Sequence, residues 1–164
     1  MWTTDWNEAI IWLVLAFCGG MLGASVGALC SFVFCGVCAI VSSCLMLSGN
    51  ADVAGMVDGW GTWGPLVGPQ TAFVGGGWAA VYARYHAGFD NGRDICRPLV
   101  ALNRPDVLLV GGIGGVCGAV VTWLFWLVPS YTVGGHQIAS SNCVAVGVAV
   151  AAIAGRLILG TTGP

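Results

Sequence analysis

Apolar residues fill this chain in long runs separated by short polar clusters, a pattern of membrane spans rather than of amphipathic surface helices. From Ala9 to Ser48 there are forty consecutive residues without a charge. A single helix of that length would measure about 60 Å, twice a hydrocarbon core of about 30 Å. Two spans joined by a tight turn near Ser25 to Ser31 fit instead, Ala9 to Gly27 and Leu29 to Leu47. Residues 49–64, GNADVAGMVDGWGTWG, are rich in glycine and turn formers and read as a loop carrying Asp52 and Asp58. A third span is expected over Pro65 to Tyr85. Next comes HAGFDNGRDICRPLVALNRPD, the one strongly polar stretch, in which ICRPLVAL suits a short helix in the membrane interface. Pro105 and Asp106 suit the start of a fourth span over Val107 to Val128, with Asp106 placed to cap its first turn. After PSYTVGGHQ, a fifth span is expected over Ile138 to Leu159.

Composition agrees with this reading. The chain is 57% hydrophobic and 7% charged over 164 residues, against about a quarter charged in soluble domains. The N-terminal run follows Asp5 and Glu8 where a secretory signal needs basic residues, so it reads as a retained span. All five basic residues are arginine and the net charge is −2, which leaves no basic face for nucleic acid. Arg84, Arg93, Arg97 and Arg104 flank one loop, and cytoplasmic loops carry an excess of such residues. With that loop inside and five spans, the N-terminus lies outside and the C-terminus inside. Trp2, Trp6, Trp60, Trp63, Trp126 and Tyr131 then fall near the outer interface, Tyr82 and Tyr85 near the inner one.

Glycine spacing is the strongest motif. Gly19, Gly23 and Gly27 form one row, Gly111 and Gly115 a second, Gly114 and Gly118 a third, and Gly147, Ala151 and Gly155 a fourth; Gly75, Gly76 and Gly77 are contiguous. Small residues at this spacing let membrane helices approach closely, within one chain or between chains. Gly64-Pro65 and Gly68-Pro69 interrupt helical hydrogen bonding. They read either as a part-unwound vestibule with Gln70 and Thr71 as its polar groups, or as prolines occupying a first helical turn. Gln70, Thr71, His136, Gln137, Ser140, Ser141 and Asn142 gather at the outer ends of the third and fifth spans, a neutral set suited to a small polar solute or to helix capping. Arg156, inside IAGRLILG, either snorkels to the inner interface or contacts an anion or an acidic partner. No acidic residue falls inside an expected span, which argues against proton-coupled pumping.

Catalytic patterns lack their context. Cys35-Gly36-Val37-Cys38 is a C-x-x-C pair, but it lies within the second span, and the other intramembrane cysteines are scattered. No second such pair completes a zinc site, so no metal and no cofactor are expected. Gly23-Ala24-Ser25-Val26-Gly27 spells G-x-S-x-G inside a membrane helix, where the strand-to-helix elbow it requires is absent. Gly75-Gly76-Gly77 opens a G-x-G-x-x-A pattern without a soluble βαβ unit around it. The glycine pattern and the LNRPDVLLVGG junction resemble those of uncharacterised bacterial multi-pass proteins.

The sequence therefore points to an all-α integral membrane protein, a bundle of about five transmembrane helices in one domain over residues 1–164. The expected activity is a small homo-oligomeric channel or transporter, not an enzyme, in a bacterial cytoplasmic membrane. Its solute pathway is expected at Gln70, Thr71, Ser141, Asn142 and Arg156. The rival readings are a non-transporting accessory subunit of a membrane complex and a thiol oxidoreductase using Cys35 and Cys38.

Overall fold

The computed structural model describes residues 6–129, 131–134, 136–138 and 142–161. It is mostly helical. Helix α1 covers Trp6–Val26, α2 Ala28–Leu47, α3 Ala51–Met56, α4 Val74–His86, α5 Pro105–Trp126 and α6 Cys143–Leu159. A two-stranded antiparallel hairpin, β1 (Tyr131–Val133) and β2 (His136–Ile138), joins α5 to α6, with Thr132 opposite Gln137. Three helices, α1, α2 and α5, are long and apolar enough to cross a membrane, with mean hydropathies of 2.1, 2.3 and 2.1. Helix α6 is apolar but shorter, at 17 residues.

The turn between α1 and α2 is a single residue. Gly27 adopts φ +97°, a conformation open to glycine, and a Cβ there would meet the Cys96 carbonyl. The first turn of α2 has unused N–H groups, and the loop after α4 supplies a partner: Leu29 N–H donates to the Ile95 carbonyl at 2.9 Å. Helices α1 and α2 then diverge, and the chain from Ala51 to Phe73 fills in beside them, residues 51–62 against α2 and Pro69–Phe73 against both.

That filling segment corrects the expectation of a loop over residues 49–64. The chain is helical over Ala51–Met56 and continues as a wider π-helical stretch over Val57–Thr62. Its glycines are packing residues as well as turn formers: Gly59 is buried, and Gly61 faces the Cys38 side chain. The third expected span is also displaced. Residues 63–68 are a turn, Pro69–Phe73 is a second π-helical stretch, and α4 follows it directly. The segment ICRPLVAL yields a short 3-10 turn over Leu99–Leu102, with Leu99 buried against α1, α4 and α5 and Val100 exposed.

Around α5 the backbones nearly touch. Gly20 lies against the Gly111 carbonyl, Gly115 against the Ala16 carbonyl, and Gly75 against both Gly20 and Gly111. These pairs make α1 and α4 antiparallel to α5. Gly23 lies against the Ala72 carbonyl, Gly76 against Ala28, Gly118 against the Gln70 carbonyl and Gly147 against Thr122. Trp78 is seated between Gly114 and Gly155, and its Nε1–H donates to the Ala151 carbonyl at 2.8 Å, tying α4 to α6. Gly77 faces open space.

Gly20→Ala or Gly23→Ala should cost about 1–3 kcal/mol through overpacking against backbone that cannot give way. Gly77→Ala should be neutral or stabilising by up to about 1 kcal/mol, because alanine is the better helix former. Thermal unfolding in detergent compares the three; equal losses would show that the glycine contacts do not set stability.

Candidate functional site

The chain is interrupted at Trp63–Gly68, between two π-helical stretches, and the interruption is deep in the protein. The Thr62 carbonyl accepts from Cys35 Sγ at 3.1 Å, and the Ala54 carbonyl accepts from Ser42 Oγ at 2.9 Å, so residues 51–62 run antiparallel to α2. Gly19, beyond the midpoint of α1, lies against the carbonyls of Pro65 and Leu66. The break thus sits beside the middle stretches of α1 and α2. The sequence had located the same prolines at an outer entrance, since proline marks a break but not its depth.

The local chemistry explains how such a break is tolerated. Pro69 stands in the first turn of the second stretch, where its missing N–H leaves no bond unmade. The Gly64 carbonyl accepts from Gly68 N–H at 3.0 Å. The Gly68 carbonyl accepts from Thr71 Oγ1 at 2.9 Å and from the N–H groups of Thr71 and Ala72. Gln70 Nε2 donates to the Trp63 carbonyl at 2.7 Å and to that of Gly64 at 3.4 Å. Those carbonyls fix the orientation of the amide. Gln70 and Thr71 are both 0% exposed.

Three side-chain oxygens are left over. Gln70 Oε1, Thr62 Oγ1 and Thr122 Oγ1 are buried with no hydrogen-bond partner among the described residues. Thr62 ends the first π-helical stretch and Gln70 is the second residue of the second. Thr122 lies on α5, one turn beyond Gly118, the residue that receives the Gln70 backbone. A buried unmatched hydroxyl or amide oxygen costs about 1–3 kcal/mol. Asp58, assigned by sequence to an external loop, is instead half-buried in the first π-helical stretch, one turn before Thr62. This removes the expectation that acidic residues stay outside the helices of the bundle.

The break does not gather the other described residues expected in the pathway, Asn142 and Arg156. Asn142 caps α6, its Oδ1 accepting from Ala145 N–H at 3.1 Å, and it is exposed. Ser140 and Ser141 are outside the described residues, and His136 and Gln137 belong to β2. Arg156 Nη1 donates to Tyr85 Oη at 3.3 Å near the far end of α4, fifteen residues of chain beyond Gln70. Trp60 stacks on Trp12, under two turns from the start of α1, with ring centroids 6.2 Å apart. These two rings, with Glu8 and Asp52, line a cleft of about 510 Å³ at the end of the bundle opposite the arginines. Asp106 is bound by Arg104 through Nε at 2.9 Å and Nη2 at 2.8 Å, and by Tyr82 Oη at 3.1 Å.

The motif residues have structural partners. The Cys35 thiol is spent on the Thr62 carbonyl, and Ser25 Oγ donates back to the Met21 carbonyl at 2.8 Å within α1. Among the described residues no group of three or more His, Cys, Asp or Glu side chains could hold a metal ion. Thr62, Thr122 and Asp58 were missed by sequence reasoning. For Thr122 a signal existed: it continues the small-residue face of Gly111 and Gly118 at helical spacing.

The chain belongs to a family of unknown function, DUF7973, whose profile matches residues 1–162. No curated protein and no solved structure matches it.

Gln70→Leu should destabilise the protein by about 1–3 kcal/mol, because the Trp63 carbonyl loses its donor in a buried setting. Thr122→Val, which keeps the shape and removes an unmatched hydroxyl, should stabilise it by about 1 kcal/mol. Thermal unfolding of both variants checks the signs, and a loss in Thr122→Val would mean the hydroxyl has a partner.

Proposed function

We propose that this member of the family is a small channel or transporter, working as a homo-oligomer, with the interrupted segment as the place where a small polar solute or ion meets the protein. The observation that carries the reading is the buried break with three unmatched oxygens, on Thr62, Gln70 and Thr122. Non-helical backbone at membrane depth is tolerated where it is enclosed by protein or lines a polar cavity. Interrupted helices flanked by π-helical turns recur where transport proteins hold their cargo. Here the backbone of the break is largely satisfied from within, by Gln70, Thr71 and Cys35. The surplus polarity is on side chains, which is where a passing solute would be recognised.

In this reading the chain crosses a bacterial cytoplasmic membrane five times, the interrupted segment from Ala51 to His86 counting as one crossing. The N-terminus is outside and the C-terminus inside. All five arginines, on α4, the loop after it, the start of α5 and the end of α6, then lie at the cytoplasmic end. The broad apolar face of α2, with Phe32, Val33, Phe34, Val37 and Ile40 exposed, faces lipid or a second copy.

Cys96, the one cysteine in the arginine-bearing loop, reports the orientation. In a variant retaining Cys96 alone, a membrane-impermeant maleimide should label inverted vesicles and spare intact cells; labelling of intact cells would reverse the topology. Proteoliposome flux of water, ammonia, urea, short carboxylates and monovalent ions tests the activity. Thr62→Val and Thr122→Val should lower flux of the transported solute about tenfold, the scale of about 1.4 kcal/mol per lost contact, without lowering the unfolding temperature. An Asp58→Asn variant should spare a neutral solute and reduce a cation. A wild-type protein that forms a stable oligomer yet moves none of these solutes would favour the accessory-subunit role instead.

A further inference from the structure

Cysteine is among the most buried residue types, yet two exposed cysteines meet where the loop after α4 crosses the start of α2. Cys30 lies in the first turn of α2 and Cys96 in a turn of that loop, 66 positions apart in sequence. Cys30 Sγ donates to the Cys96 carbonyl at 3.6 Å. Leu29 N–H donates to the Ile95 carbonyl at 2.9 Å, and a Cβ on Gly27 would stand 2.7 Å from the Cys96 carbonyl oxygen. Gly27 and Cys30, three residues apart, share one side of the helical turn, so the backbone of Ile95 and Cys96 lies along that side. A carbonyl oxygen is about 2.4 Å from the Cα of its own residue, which places the Cys96 Cα within about 6 Å of Cys30 Sγ. The other cysteines are placed differently. Cys35 is buried with its thiol on the Thr62 carbonyl, and Cys38, Cys117 and Cys143 are half-buried. Of the remaining exposed ones, Cys18 lies near the middle of α1 and Cys44 in the last turn of α2.

We infer that Cys30 and Cys96 form a redox modification site, a thiol pair that closes reversibly into a disulfide and clasps the α1–α2 turn to the loop between α4 and α5. The two Cα atoms of a disulfide stand about 4.4–6.8 Å apart. Both thiols are exposed and Cys96 lies in a turn, so rotation of two side chains with a small shift of that turn brings the sulfurs together. The oxidant is a small-molecule disulfide. One cysteine thiolate attacks it, releasing one molecule of reduced thiol and leaving a mixed disulfide on the chain; the second thiolate then displaces the remaining half. Two electrons and two protons thus leave the cysteines on two molecules of reduced thiol. Thiols at a cytoplasmic end, where the proposed orientation puts this pair, are held reduced, so the link is a response to oxidation rather than a permanent staple. The loop it closes contains α2, the interrupted segment and α4. The chemistry depends neither on transport nor on the orientation.

Thiol counting on the full chain in a neutral detergent tests the pair. Reduced protein, freed of reductant, is exposed to oxidised glutathione in about tenfold excess over the reduced form. It is then quenched in acid, unfolded and labelled with a polymer-bearing maleimide that adds one gel shift per free thiol. The wild-type chain should fall from eight labels to six, stay monomeric on a non-reducing gel, and return to eight after dithiothreitol. Its intact mass should drop by two hydrogens, and peptide mapping of the same sample, which needs no variant, should show the Cys30 and Cys96 peptides joined. Cys30→Ser and Cys96→Ser, both at exposed positions, should each block the link, whereas Cys18→Ser and Cys44→Ser should retain it. The inference is overturned by no link, by a link that survives in Cys30→Ser or Cys96→Ser, by a covalent dimer, or by glutathione adducts on both cysteines in place of the link.

Discussion

Contact between bare backbones at Gly20, Gly75 and Gly111 is the constraint on which the rest of the structure depends. Three helices meet there with only the Ala24 methyl beside Gly111, Gly75 lying against both Gly20 and the Gly111 carbonyl. In an apolar surrounding there is little hydrophobic drive to bring helices together, so close approach and the dispersion it gains must do so. Once α4 is held at this junction, the chain before it has no choice of path. Ala72 falls against Gly23, and Gln70 against Gly118. On the other side of α4, Trp78 enters the slot between Gly114 and Gly155 and recruits α6 through the Ala151 carbonyl. The position of the polar break is thus a consequence of the glycine contacts.

The break itself divides its polar groups into two kinds. Backbone carbonyls exposed by the loss of helical bonding are taken up locally, those of Trp63 and Gly64 by the Gln70 amide and that of Thr62 by the Cys35 thiol. The hydroxyls of Thr62 and Thr122 perform no such service. Valine has nearly the same shape and would carry no desolvation penalty at either position. A segment shaped only for stability would therefore be better served by valine there. Threonine stands at both positions all the same, Thr62 at the end of the first π-helical stretch and Thr122 on α5 against Gly147, each with a hydroxyl unmatched among the described residues.

Much of this was legible from hydropathy alone. The uncharged run from Ala9 to Ser48 requires two helices, and the structure divides it at Gly27, inside the stretch where a turn was expected. Helix α5 begins at Pro105, as the proline and Asp106 suggested, although the Asp106 carboxylate is bound to Arg104 and Tyr82. What could not be read was the helix over 51–62. Its glycines and aspartates are turn formers by local preference, and only the facing surface of α2, with Ser42 and Cys35 on one side of the helix, gives them a packed environment. Depth is likewise non-local. Gly-Pro at 64–65 and 68–69 announces an interruption, but whether it lies at a surface or in the interior depends on Gly19 and Gly118, some fifty residues away in either direction along the chain.

The charged residues complete the picture by their distance from that interior. Glu8 and Asp52 stand at one end around the Trp12–Trp60 pair, and the arginines stand at the other. Between the two ends the break offers neutral oxygens and a single nearby carboxylate, that of Asp58. An anion would find nothing in the break to replace its hydration, because the unmatched groups among the described residues there are two hydroxyls and an amide oxygen. A neutral hydrogen-bonding molecule or a cation would be compensated at the break. The two ends and the interior therefore differ in chemistry, with carboxylates at one end, guanidiniums at the other, and neutral oxygens beside a half-buried carboxylate between them.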